Sequence, residues 1–125
     1  MTELLAILIP ILMQIESNNN PNAIGDNGDA VGILQIHEIM VDDVNRIIGT
    51  EVFDYDDRTD KNASIAMCKI YLNHYGKNKI STESTELENI ALLGRMWNGG
   101  PKGYTRRSTL PYMSKIVKAY ASLKI

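Results

Sequence analysis

The sequence predicts an α+β protein that is mainly helical, with one small β element and a single domain over residues 1–125. At 125 residues the chain is long enough for one hydrophobic core and short for two. Its 44% hydrophobic and 22% charged fractions are ordinary for a globular protein. Apolar residues recur at helical spacing over most of its length, and an aspartate- and glycine-rich turn at residues 25–29 is typical of a hairpin.

The elements follow from apolar runs and from the residues that interrupt them. A short extended segment is predicted at residues 31–36, directly after the turn. Residues 49–60 form an acidic loop, and the Ser and Thr residues at 81–84 are placed to cap the next helix. The apolar spacing predicts five helices, over residues 4–16, 38–48, 61–75, 86–97 and 109–123.

The first predicted helix is apolar on nearly every side, which indicates a deeply buried position. Its apolar run is too short for a membrane span, which needs ~20 such residues. A secretory signal starts with positive charge, whereas Glu3 is acidic and no Lys or Arg precedes Arg46. We therefore expect a retained core helix, no membrane span, no signal peptide and synthesis in the cytoplasm.

The charges are distributed unevenly along the chain. The formal net charge of -2 argues against a nucleic-acid partner, since such proteins are normally basic. Residues 1–60 carry a formal charge of −10 and residues 61–125 one of +8. If the basic residues share one face, they would attract a polyanion; if the two halves interleave, the field averages out.

The cysteine and histidine content gives no support for a metal or cofactor. The single cysteine, Cys68, excludes both an internal disulfide and a four-cysteine zinc site. It lies on an apolar helical stripe and is expected to be buried. His37 and His74 lack the spacing of metal ligands and are expected to be structural or exposed.

Glu16 is the first candidate for a catalytic residue, because it ends an apolar helix. Desolvation by its apolar neighbours, together with the negative end of the helix dipole, should raise its pKa. A carboxylic acid that stays protonated near neutral pH can act as a general acid at a glycosidic oxygen. The alternative is an exposed, ionised glutamate at the end of a helix.

Asp26 and Asp29 supply a candidate second carboxylate. Both lie in the glycine-flanked turn after Glu16, where a polar and hydrated environment should keep them ionised. A protonated acid beside an ionised one is the arrangement that acid–base hydrolysis uses. The alternative is that each aspartate only bonds the backbone of its own turn.

Trp97 and Asn98 form a third candidate group, at the point where a helix gives way to a glycine-rich loop. An aromatic face beside an amide suits a sugar ring, although a tryptophan at a helix end equally suits a core position. The loop at residues 98–103 lacks the Gly-Lys-Ser/Thr ending of a phosphate-binding loop.

Taken in order, these motifs resemble the soluble lytic transglycosylase and goose-type lysozyme superfamily over about residues 5–120. The motifs that carry the resemblance are Glu16-Ser17, then Asn20-Pro21-Asn22-Ala23, Gly32-Ile33-Leu34-Gln35-Ile36, Tyr71-Leu72, Trp97-Asn98-Gly99-Gly100-Pro101 and Tyr112. The resemblance implies a lysozyme-like fold.

The resemblance also assigns roles to individual residues. It implies that Glu16 is the catalytic acid, that Tyr112 hydrogen-bonds to it, and that Ser17 supports the adjoining turn or the sugar contacts. Three further groups would contact the sugar: the backbone near Ile33, Gln35 and Asn98. Trp97 departs from the family's tyrosine, which keeps an aromatic surface and loses a hydroxyl.

The turn before Gly32 bears on the reaction. Asp26 matches the goose-type acid that positions water, and His37 stands where that family often has another Asp. We therefore expect hydrolysis of the β-1,4 bond between N-acetylmuramic acid and N-acetylglucosamine in peptidoglycan. The alternatives are a lytic transglycosylase that forms 1,6-anhydro products, a non-catalytic glycan-binding module and a chitin-cleaving relative.

The expected partners are peptidoglycan glycan strands, with no metal or cofactor, and the expected state is a monomer. A small wall-lytic enzyme without disulfides or a signal peptide fits a bacteriophage endolysin or a tail-associated lysin.

Overall fold

The computed structural model describes residues 1–125 and confirms a mainly helical α+β fold with a small β element. The sheet has two antiparallel strands, β1 (Ile24–Gly25) and β2 (Ala30–Val31). The helices are α1 (Thr2–Ser17), α2 (Glu38–Ile48), α3 (Lys61–Gly76), α4 (Glu86–Gly99) and α5 (Leu110–Leu123). All five predicted helices are present, and their observed bounds differ from the predicted ones by at most two residues.

The chain forms two compact units. The first, the helical unit, comprises Met1–Leu12 and Leu72–Ile125. The second, the hairpin unit, comprises Met13–Tyr71. Both α1 and α3 contribute residues to each unit. The assignment of residues 1–125 to a single domain stays a prediction.

The helical unit has a core of Leu, Ile and Met side chains. A side chain at Gly94 of α4 would overlap Ile116 of α5 and meet Leu8 of α1, so the glycine permits a close approach of these helices. Thr85, rather than a residue of the predicted 81–84 segment, caps α4: its hydroxyl accepts from the Glu88 N–H at 3.1 Å. Glu88 in turn accepts from the Thr85 N–H at 2.8 Å, which completes a capping box.

The hairpin unit contains the sheet, in which Ile24 pairs with Val31 and Gly25 with Ala30. The predicted turn at residues 25–29 does close this hairpin. The predicted extended segment at residues 31–36 is wrong beyond Val31, because residues 32–35 form a turn that returns Ile36 to Val31 in an isolated bridge. Gly32 and Gln35 make this reversal with left-handed φ angles of 89° and 53°.

The predicted acidic loop at residues 49–60 has more structure than the sequence indicated. Gly49 ends α2 in the left-handed conformation, as expected. A 3₁₀ turn then spans Tyr55–Thr59 and is capped by the side chain of Asp54. This turn brings Arg58 into the interior of the hairpin unit, where it is 8% exposed. No helix of the protein has both the length and the apolar character that crossing a membrane requires.

Candidate active site

Glu16 lies in the last turn of α1 and is half-buried. Met13 on the same turn is buried, and Cys68 of α3 is fully buried, as predicted. Burial raises the pKa of the Cys68 thiol, and the negative charge of Glu16 raises it further, whereas Lys69 lowers it. The negative charge of Glu16 therefore influences the pKa of a thiol that lies in the buried interior of the hairpin unit.

Ser17 joins the end of α1 to the turn at residues 32–35. Its hydroxyl donates to the Ile33 carbonyl at 2.8 Å and accepts from the Asn20 N–H at 3.0 Å. Ile33 is buried, so the turn is anchored on its apolar side as well. Among the roles predicted for Ser17, support of the turn is the one that these hydrogen bonds match.

Gln35 holds the hairpin to the same turn. Its side-chain amide donates to the carbonyl of Ala23 at 3.1 Å and to that of Gly32 at 2.9 Å. A Cβ at Gly32 would overlap the backbone carbonyl of Arg58, which explains why a glycine stands there. The predicted contact of Gln35 with sugar stays a prediction, and in this structure its amide N–H groups stabilise the backbone.

Asp26 and Asp29 lie at opposite ends of the hairpin turn, and both are exposed. The Asp26 carboxylate accepts from the ring N–H of His37 at 2.9 Å, and the exposed fractions of the two side chains are 69% and 43%. The hairpin thus brings together the predicted acid and a histidine that the sequence analysis had left as structural or exposed. Asp29 contributes a backbone carbonyl to Arg58 at 3.4 Å.

Three predicted site residues belong to the helical unit. Trp97 is only 6% exposed, which fits a tryptophan packed in the core better than an aromatic surface on which a sugar stacks. Asn98 is exposed in the last turn of α4, which runs on to Gly99 and so shortens the predicted loop at residues 98–103. Tyr112 is buried in the first turn of α5. The sugar contact of Asn98 and the hydrogen bond from Tyr112 to Glu16 stay predictions.

Two features near Asp26 and Asp29 were not predicted from the sequence, namely the pairing of His37 with Asp26 and the burial of Arg58. The pairing of His37 with Asp26 depends on the reversal at residues 32–35, which no periodicity indicates. Arg58 is buried with its guanidinium bonded to backbone carbonyls of the hairpin unit. The signal that could have identified Arg58 is its position as a single cation among four aspartates in residues 54–60.

No group of three or more His, Cys, Asp or Glu side chains is arranged to hold a metal ion. The two carboxyl groups of the candidate site lie in different environments: Glu16 is half-buried, whereas the side chain of Asp26 is 69% exposed.

The transglycosylase SLT domain family has a model that matches residues 1–90 of this chain. The match covers Glu16, the hairpin and Gln35, and it ends before Trp97, Asn98 and Tyr112. No curated protein and no solved structure matched the chain. A match over more than half of the chain establishes the family and, with it, a peptidoglycan-acting function of the lytic transglycosylase or lysozyme-like kind. The chain belongs to the transglycosylase SLT domain family, within the lysozyme-like superfamily.

Proposed function

We propose that this protein is a lytic transglycosylase that cleaves the β-1,4 bond between N-acetylmuramic acid and N-acetylglucosamine in peptidoglycan, with Glu16 as the general acid. The observation that carries the proposal is the half-buried carboxyl at the end of α1, inside the segment that matches the family. The sequence analysis placed hydrolysis first, and the family match favours the transglycosylase alternative.

The environment of Glu16 supports its role as a proton donor. It is half-buried, and it lies at the negative end of a 16-residue helix. Both features disfavour the carboxylate anion relative to the neutral acid. Ser17 stabilises the backbone directly after Glu16, because its hydroxyl bonds the Ile33 carbonyl at 2.8 Å.

In the proposed reaction, Glu16 transfers its proton to the glycosidic oxygen, and the C1–O bond to that oxygen breaks. The C6 hydroxyl of the muramyl residue then bonds to C1, and its proton returns to the Glu16 carboxylate. The product is a 1,6-anhydro ring, no water is consumed, and Glu16 is restored to the neutral acid.

Hydrolysis is the second candidate, and the Asp26–His37 pair favours it. An exposed carboxylate that is fixed by an imidazole at 2.9 Å could orient a water molecule for attack on the sugar. Transglycosylation needs no such base, so Asp26 separates the two reactions.

The products distinguish these candidates directly. We expect mass spectrometry of digested peptidoglycan to find muropeptides with 1,6-anhydro ends, each one water lighter than its reducing-end counterpart. A digest that contains only reducing ends would contradict the transglycosylase and support hydrolysis. A protein that sediments with cell walls and releases no muropeptide would instead be a non-catalytic glycan-binding module.

The substitution Asp26→Asn tests the second carboxylate. For a transglycosylase we expect the rate of muropeptide release to change less than about threefold, since the carboxylate takes no part in the reaction. For a hydrolase the loss of a base would lower this rate by about 10²-fold or more. Glu51→Gln is the control, because it removes one negative charge at an exposed position of the same unit outside the hairpin turn.

Every residue that the proposed reaction uses lies in one chain, so we also propose that the protein acts as a monomer. Sedimentation velocity at the concentrations of the activity assay tests this, and a dimer under those conditions would contradict it.

A further inference from the structure

A polar pocket of the hairpin unit lies where the hairpin turn, the start of α2 and the 3₁₀ turn over Tyr55–Thr59 meet. Its volume is about 270 Å³, which is enough for a group the size of an amino acid. It is lined by Gly28, Asp29, His37, Glu38, Ile39 and Arg58. The proposed cleavage uses none of these six side chains.

Arg58 supplies a buried positive charge to this pocket. The residue is 8% exposed, and it donates from Nε to the Tyr55 carbonyl at 2.8 Å and from Nη1 to the Ile36 carbonyl at 3.1 Å. The remaining nitrogen, Nη2, has its carboxylate neighbour in Glu38 at 3.7 Å, which is beyond hydrogen-bond length. Nε and Nη1 bond backbone carbonyls, whereas Nη2 has an ion-pair partner in Glu38 and no hydrogen-bond acceptor, so Nη2 can still donate to a carboxylate in the pocket.

The first turn of α2 adds a second group of donors. The cap residue His37 makes no side-chain hydrogen bond to the helix end, so the first backbone N–H groups have no side-chain cap. A helix N-terminus in this state favours negative charge. Since Arg58, Glu38 and Ile39 line the same pocket, the guanidinium and the helix end both favour a carboxylate there.

The acidic side chains of the pocket exclude a plain anion as the preferred ligand. Asp29 is exposed, and the side chain of Glu38 is 60% exposed. The His37 ring is held by Asp26, so a third carboxylate stands behind it. A ligand that carries an ammonium group beside its carboxylate would satisfy these acids as well as Arg58.

We propose that this pocket binds a zwitterionic amino-acid group, with the carboxylate on Arg58 Nη2 and the N-terminus of α2 and the ammonium on Glu38 and Asp29. The identity of the source rests on the proposed function: in peptidoglycan, the free end of a diamino acid in a peptide stem carries this pair of groups. The pocket would then recognise strands whose stems are not cross-linked through that amine.

Calorimetric titration of the whole protein with three probes of matched length tests the chemistry. The zwitterion meso-diaminopimelate is expected to bind saturably. Pimelate, which lacks the ammonium groups, and cadaverine, which lacks the carboxylates, are each expected to bind at least about tenfold more weakly, since each loses charge-assisted hydrogen bonds. Equal binding of pimelate would overturn the zwitterion in favour of a plain anion site, and no binding of any probe would overturn the pocket altogether.

The substitution Glu38→Gln locates the site without disturbing buried Arg58. It is expected to weaken the binding of meso-diaminopimelate about tenfold, because the ammonium loses a charged partner, and to strengthen the binding of pimelate. Glu51→Gln, an equal change of charge in an exposed loop, should alter neither. A Glu38→Gln protein that binds both probes as the wild type does, or a Glu51→Gln protein that shows the same changes, would contradict the assignment.

The outcome is separable from that of the proposed function. A protein that releases anhydro-muropeptides and binds no diaminopimelate would refute the pocket alone. A protein that binds diaminopimelate and cleaves no peptidoglycan would refute the proposed function and leave the pocket as an amino-acid site.

Discussion

The helical unit and the hairpin unit differ in charge as well as in backbone. The helical unit contains nine Lys and Arg residues and four Asp and Glu residues, a formal charge of +5. The hairpin unit contains four basic and 11 acidic residues, a formal charge of −7. The charge asymmetry along the chain therefore persists between the two units.

The backbone shows the same division. All five non-glycine residues with positive φ lie in the hairpin unit: Asn18, Asn19, Asp26, Asn27 and Gln35. The conformations of Asp26 and Gln35 are supported by side-chain bonds to His37, Ala23 and Gly32. Such conformations persist where the surroundings hold them, and they concentrate at functional sites. The comparison indicates that the helical unit supplies packing and that the hairpin unit supplies most of the candidate chemistry.

The largest expected effect on stability is in the core of the helical unit. Ile116 is fully buried and fills the space beside Gly94, so Ile116→Ala should lower the free energy of unfolding by about 3 kcal/mol. Urea unfolding followed by circular dichroism measures this. The matched control is Val117→Ala, at an exposed position of the same helix, which should cost less than about 0.5 kcal/mol. Similar costs at the two positions would contradict the packing described for α4 and α5.

In the hairpin unit, replacement of Gly32 is expected to lower the free energy of unfolding more than replacement of Gly28. Gly32 and Gly28 both have positive φ, but only at Gly32 would a Cβ overlap a backbone carbonyl, that of Arg58. Gly32→Ala should therefore cost about 2 kcal/mol or more, and Gly28→Ala about 1 kcal/mol. Thermal unfolding of the two variants measures the difference. If Gly28→Ala lowers the unfolding temperature more than Gly32→Ala does, the close approach of Arg58 is not the reason why a glycine is needed at position 32.

The smallest expected effect is at the cap of α4. Thr85→Ala removes one bond of the capping box and should cost about 1 kcal/mol without changing wall lysis. The backbone and side-chain bonds with Thr85 lower the pKa of Glu88, so their contribution to stability is present above the ordinary value of 4.5 and lost as the pH falls below it. The free energy of unfolding, measured from pH 7 down to pH 3, should fall less in Glu88→Gln than in the wild type. The same pH dependence in both proteins would contradict a stabilising role of the Glu88 carboxylate.

The regular elements were predictable because their signals are local. The apolar spacing gave α2 its observed bounds, residues 38–48, and Gly49 ended it as a left-handed residue does. The hairpin turn was likewise identified from Asp26, Asn27 and Gly28. Thr85 was missed by one residue, since several Ser and Thr residues in succession offer equivalent caps.

The contacts that shape the candidate site were less predictable because they join distant positions. The apolar residues 31–36 satisfy the pattern of a strand, yet Gly32 and Gln35 reverse the chain there. Only this reversal explains why Gln35 bonds Ala23. The buried guanidinium of Arg58 donates to three backbone carbonyls, which lie three, 22 and 29 positions away in the sequence. A local sequence pattern does not connect positions that are 22 or 29 residues apart.

The rate of muropeptide release by Glu16→Gln tests the role of this carboxyl most directly, with Glu51→Gln as the control for the loss of one exposed charge. Because an amide cannot donate the required proton, we expect Glu16→Gln to release muropeptides about 10²- to 10⁴-fold more slowly than the wild type, with an unchanged circular dichroism spectrum. The control should remain within about twofold of the wild type. A folded Glu16→Gln protein that still releases anhydro-muropeptides at more than about a tenth of the wild-type rate would contradict the account.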